Sequence, residues 1–123
     1  MFREARELKN NPVWNRLLSL AKKRNIKVHI ASEKSLPSTC NIRGLWMVLL
    51  NGIHVIVIKQ NLSAKEKNFT MAHELAHAVL HKGSGLSSIL IQDPAVKKQE
   101  DEANAFAVRL LLFIKRQLYR ACG

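Results

Sequence analysis

The stretch Met71-Ala-His-Glu-Leu-Ala-His-Ala-Val-Leu-His81 sets three histidines at intervals of four, with a glutamate directly after the first. That interval is close to one turn of an α-helix, so the three side chains share a face. On a helical wheel His77 falls about 40° from His73, and both imidazoles can converge on one metal ion. Glu74 falls about 100° round, beside such an ion rather than on it, where a carboxylate can take a proton from a water at the metal. Met71, Ala72, Leu75, Ala76, Ala78, Val79 and Leu80 cover well over half of the circumference. A helix this apolar is mostly buried, and its few polar side chains need partners or a cleft.

His81 extends the row without completing a site. Eight residues span about 12 Å of helix axis, while zinc–nitrogen bonds are about 2 Å, so an unbroken helix cannot wrap all three rings round one ion. His81 therefore reads as a structural or cleft-wall residue. The longer motif, with a histidine six residues beyond the second, fails because that position is Gly83. A third ligand must come from elsewhere, and the helical stretch Lys97 to Leu111 supplies Glu100, Asp101 and Glu102. Its apolar arc is made by Ala103, Phe106, Ala107, Leu110 and Leu111. Glu100 lies at the edge of that arc, Glu102 lies further round, and Asp101 points nearly opposite. Glu100 is the expected ligand. Asn104 shares its face and is placed to orient a ligand histidine through the other ring nitrogen.

Around this pair of helices the chain reads as one small domain, 1–123. Asn11-Pro12 is a cap followed by a first-turn proline and opens a helix to about Asn25. Met1 to Asn10 is expected to form at most a turn of helix. Ile26 to Ile30 alternates as a strand, Ser32 to Asn41 is a loop, and Asn51-Gly52 joins two apolar runs between Gly44 and Ile58 as a hairpin. That hairpin is expected to be an ordinary buried strand pair. Ser63 and Glu66 form a capping box at the start of the histidine helix, which Gly83 and Gly85 end near Lys82. Asp93-Pro94 opens the last helix, running past Leu112. The fold class is α+β: a three-stranded, mostly antiparallel sheet packed on the active-site helix and two or three further helices.

Composition bounds the partners. The 123 residues carry 20 Lys and Arg against 9 Asp and Glu, a net charge of +11. The cations are spread from Arg3 to Arg120, and the tight cluster Lys22-Lys23-Arg24 has no interleaved aromatics for base stacking, so nucleic acid is not the expected partner. Cys40 and Cys122 are the only cysteines, which indicates neither a disulfide framework nor a cysteine-based zinc site. The charged first residues do not read as a secretory signal, and the longest apolar run is too short to span a bilayer. A cytoplasmic protein without a membrane partner is the expectation.

The segments Phe69 to His81 and Glu100 to Leu111 together resemble the ImmA/IrrE family of metallopeptidases, as does the lead-in Gly44 to Ser63, so the likeness covers about Gly44 to Leu112. The resemblance implies a small α+β zinc peptidase with one ion held by His73, His77 and Glu100. It carries the general base over to Glu74 and the supporting residue to Asn104. It further implies a protein substrate, typically a helix-turn-helix transcriptional repressor, in mobile elements or stress responses. The family pattern continues from its double leucine into Met-Pro and another helical segment, whereas here Leu111 is followed by Leu112-Phe113-Ile114-Lys115. That departure keeps open a second reading, a metal-containing module that grips a repressor or antitoxin without cutting it. A basic nucleic-acid-binding regulator is a third. No residue is singled out for steadying the oxyanion, although His54, His81 and Tyr119 are candidates.

Overall fold

A computed structural model describes residues 2–32, 42–81 and 94–122. Four strands, β1 (Phe2–Glu4), β2 (Ile26–Ala31), β3 (Gly44–Val48) and β4 (His54–Lys59), form one sheet in the order β1-β2-β4-β3. Three helices, α1 (Pro12–Lys23), α2 (Ala64–Leu80) and α3 (Pro94–Cys122), complete the α+β fold.

The sheet differs from expectation in two ways. It is mixed, with β2 and β4 parallel and only the outer pairs antiparallel, and it has a fourth strand. The hairpin places β3 on the outside, which turns β4 back along the direction of β2. Val55 to Ile58 are all buried, the uninterrupted apolar run that an inner strand needs. The fourth strand is β1, where a turn of helix was expected: Phe2, Arg3 and Glu4 pair with Ala31, Ile30 and His29. β3 is also not fully buried. Among the described residues it forms a sheet edge, and of its five residues only Trp46 is buried.

The helix starts follow from their caps. The Asn11 side-chain oxygen accepts the Trp14 backbone N–H at 3.0 Å, with Pro12 at the first position. Asn25, at φ 59, takes the left-handed conformation that ends α1 and leads into β2. Ser63 Oγ accepts the Glu66 backbone N–H and donates to the Glu66 carboxylate, both at 3.2 Å. In the hairpin, Gly52 has φ 84, which its lack of a Cβ permits. Gly83, Gly85, Asp93 and the loop 33–41 lie outside the described residues. α3 is one continuous helix through Ile114 and Tyr119. No helix among the described residues is long and apolar enough to cross a membrane.

α2 is the centre of the molecule. Met71, Ala72 and Leu75 join Trp46, Ile56 and Ile58 of the sheet, Trp14 and Leu17 of α1, and Ala107 and Ile114 of α3 in one core. Alanines at Ala72, Ala76, Ala103 and Ala107 are fully buried, and side chains this small let helix backbones approach closely. Gly44 has the same effect on the sheet side. A Cβ added there would meet Thr70 Cγ2 at 2.5 Å and Glu74 Cγ at 3.3 Å. The Gly44→Ala variant must therefore push β3 away from α2, at a cost of about 1–3 kcal/mol, as overpacking typically does. Urea denaturation measures it, and an unchanged midpoint would refute the close approach.

Candidate metal centre

Packing of α3 on α2 brings three polar side chains to one point. His73 Nε2 lies 2.8 Å from Glu100 Oε2, and His77 Nε2 lies 3.1 Å from Glu100 Oε1. The two Nε2 atoms are 3.1 Å apart, with the rings at 83° to each other. One turn along α2 supplies the two imidazoles, and the buried Ala103 and Ala107 mark the inward face of α3, which carries Glu100 at its edge. The cluster is deepest at His77, whose side chain is 4% exposed, and opens towards His73 and Glu100 at 18% and 32%. Asp101 and Glu102, the competing acids, are exposed.

Glu74 is buried beside this cluster, and its Oε2 has no hydrogen-bond partner among the described residues. Burial, reinforced by the charge of Glu100, pushes its carboxyl up to about 8. His77 is shifted down, chiefly by burial, with Glu100 opposing and His73 and His81 assisting. A lowered value favours the neutral ring, the form that has a lone pair for a metal. His73, Glu74 and His77 each offer a ligand atom within 4.8 Å of the others. Both carboxylates are thus in range of an ion, but only Glu100 has its oxygens placed against both Nε2 atoms.

The residues singled out in the sequence fall in two groups. His73, His77, Glu74 and Glu100 come together. Asn104 stands exposed on α3, and among the described residues no hydrogen bond ties it to either imidazole. The far nitrogen of His77 is instead occupied by His81, at 3.1 Å between the two Nδ1 atoms. Tyr119 is 83% exposed and about 28 Å from Glu100 along α3, at 1.5 Å per residue. His54 is engaged elsewhere, accepting the Trp46 indole N–H at Nδ1. Trp46 itself was missed by the sequence reading. Its ring lies nearly parallel to that of His77, at 6° and 6.1 Å between centroids. Strand alternation alone puts Trp46 on the helix-facing side of β3, but nothing local says which helical residue it meets.

An α+β domain with two histidines and a glutamate on one buried helix, answered by a glutamate from the next, has the makings of a metallopeptidase-like domain. The profile of the IrrE N-terminal-like domain, Peptidase_M78, matches residues 21–118, and the chain belongs to that family. It is 45% identical over 58 residues to "Uncharacterized immunity region protein 2" of Bacillus phage phi105. That match covers 46% of this chain and 37% of the phage protein, so the chain aligns with little more than a third of that relative. No solved structure matches it significantly. The resemblance to the ImmA/IrrE family read over about Gly44 to Leu112 is borne out.

The raised Glu74 value has a consequence in chelator-treated protein. The fold favours the protonated carboxyl, so this contribution to stability is full below about 4.5 and is lost as the pH rises towards 8. Glu74→Gln removes that loss. Thermal melts of variant and wild type should therefore diverge from pH 5 to pH 8, with the variant the more stable; parallel curves would contradict it.

Proposed function

We propose that this chain is a zinc-dependent endopeptidase acting on a protein regulator, of the helix-turn-helix repressor type, with Glu74 as general base. The observation that carries the reading is the meeting of His73, His77 and Glu100 at 2.8–3.1 Å beside a buried Glu74. The donors fit zinc. Tetrahedral bonds of about 2.0–2.1 Å separate neighbouring ligand atoms by about 3.3 Å, close to the spacings here. Two imidazoles and one carboxylate are also a ligand set of catalytic zinc, which keeps a position open.

In this reading His73, His77 and Glu100 hold the ion. When bound, zinc supplies a Lewis acid that acidifies water and polarises a scissile carbonyl. Glu74 takes the proton of the attacking water and passes it to the leaving amine. Its buried place suits it to keep that proton between the two events. The opening on the His73 and Glu100 side is where a peptide would enter. Support for an extended substrate comes from β3, a sheet edge whose Gly44 and Trp46 touch the site, since an edge can take an added strand. The phage relative's place in an immunity region supports a regulator as the substrate.

Metal content by mass spectrometry tests the site. Wild type purified without nickel resin should hold about one zinc per chain, the stoichiometry of a single catalytic site, and Glu100→Ala should lose most of it. Glu74→Gln should keep the zinc and lose cleavage of a repressor substrate by about a thousandfold or more. Zinc-loaded wild type that binds a repressor without cutting it would favour the gripping module instead.

A further inference from the structure

His81, the third histidine of the motif, has no task in the chemistry above, yet among the described residues it makes the one polar contact to the far side of His77. Its Nδ1 lies 3.1 Å from His77 Nδ1, while His77 Nε2 faces His73 and Glu100. Between two neutral imidazoles at that distance, one nitrogen must donate and the other accept. Were His81 the donor, His77 would carry its own proton on Nε2 and offer no lone pair towards Glu100 and His73. With His77 as donor, Nε2 is bare.

We propose that His81 is a positioning residue: it accepts the Nδ1–H of His77 and so selects the tautomer whose Nε2 can take the metal. The inference rests on the metal-site reading given above. The helix end makes the contact possible. His81 leaves helical geometry at φ −122, ψ 36, while its backbone N–H still bonds the His77 carbonyl at 2.8 Å. Its ring thus lies over the preceding turn. Trp46 fixes the same imidazole from its face, being parallel to it and held in turn by its N–H to His54.

The choice of acceptor has a physical reason. Ligand histidines usually donate to a carboxylate, a backbone carbonyl or water. A carboxylate here would add a third acidic group beside Glu74 and Glu100 in a buried place. A neutral imidazole accepts the hydrogen bond without adding charge. The proton left on His81 then sits at Nε2, a buried atom with no hydrogen-bond partner among the described residues.

Zinc affinity, measured by competition with a chromogenic chelator, is the test, on wild type, His81→Leu and His81→Asn. Leucine has a similar volume and no acceptor. Asparagine carries a carbonyl oxygen at the same branch of the side chain as Nδ1. The expected result is a 10–100-fold loss in His81→Leu, the usual effect of removing such a partner, and recovery of most of it in His81→Asn. Unchanged affinity in His81→Leu, or equal loss in both variants, would overturn the assignment. Should the leucine variant fail to fold, zinc-loaded wild type decides by ¹⁵N spectroscopy: a coupling across the hydrogen bond between the two Nδ1 atoms is required, and its absence refutes the contact. A wild type that takes no zinc defeats the peptidase reading and this inference together. Tight zinc with an indifferent His81 defeats only the second.

Discussion

Burying Glu74 and His77 in the middle of α2 is the constraint to which the rest of the structure answers. Both side chains are under 5% exposed, and removing an ionisable group from water is costly unless something compensates. Compensation comes from three directions at once. α3 delivers the Glu100 carboxylate, β3 delivers the flat face of Trp46, and the end of α2 itself delivers His81. Each delivery depends on close backbone approach, which is why alanines at Ala72, Ala76, Ala103 and Ala107, and Gly44 on the strand, stand where larger residues would hold the elements apart.

The compensation is incomplete in a way that points to a cation. Glu74 and Glu100 repel, one reason that Glu74 is held protonated far above the ordinary carboxylate range. His73 Nδ1 and Glu74 Oε2 are buried without hydrogen-bond partners among the described residues. Buried polar atoms left unmatched are few in a native protein and ask for a reason. A divalent ion among the donors would supply the missing positive charge and invert the local proton balance, which would make the cluster complementary.

Much of this was legible in the sequence, for reasons that are local. Spacing along one helix fixes where His73, Glu74 and His77 point, and the caps at Asn11 and Ser63 use atoms within three residues of each other. Glu100 was legible because its place on the arc of α3 is again a matter of one helix. What failed was information carried between elements. Phe2 to Glu4 is too short to show alternation and becomes a strand only because Ala31, Ile30 and His29 offer it an edge. The parallel pairing of β2 with β4 depends on which side of the hairpin turns inward. Asn104 lies on the same helix face as Glu100 but further along, where that face has turned to solvent.

The same distinction explains the division of labour among the three histidines. A wheel can say that His81 is too far along the axis to share an ion with His73, and the structure agrees with that geometry. It cannot say that a side chain one turn beyond a ligand is well placed to bond the ligand's other nitrogen, because that depends on how the helix ends. The departure from helical geometry at His81 turns its ring onto His77 from behind, while Trp46 closes the face. His77 is left with one free direction, towards Glu100. His73, with a more open setting and Phe69 stacked beside it at 6.2 Å, keeps the solvent side. In the proposed site one ligand would be rigid and one accessible, and the accessible ligand and Glu100 would mark the side from which a peptide arrives.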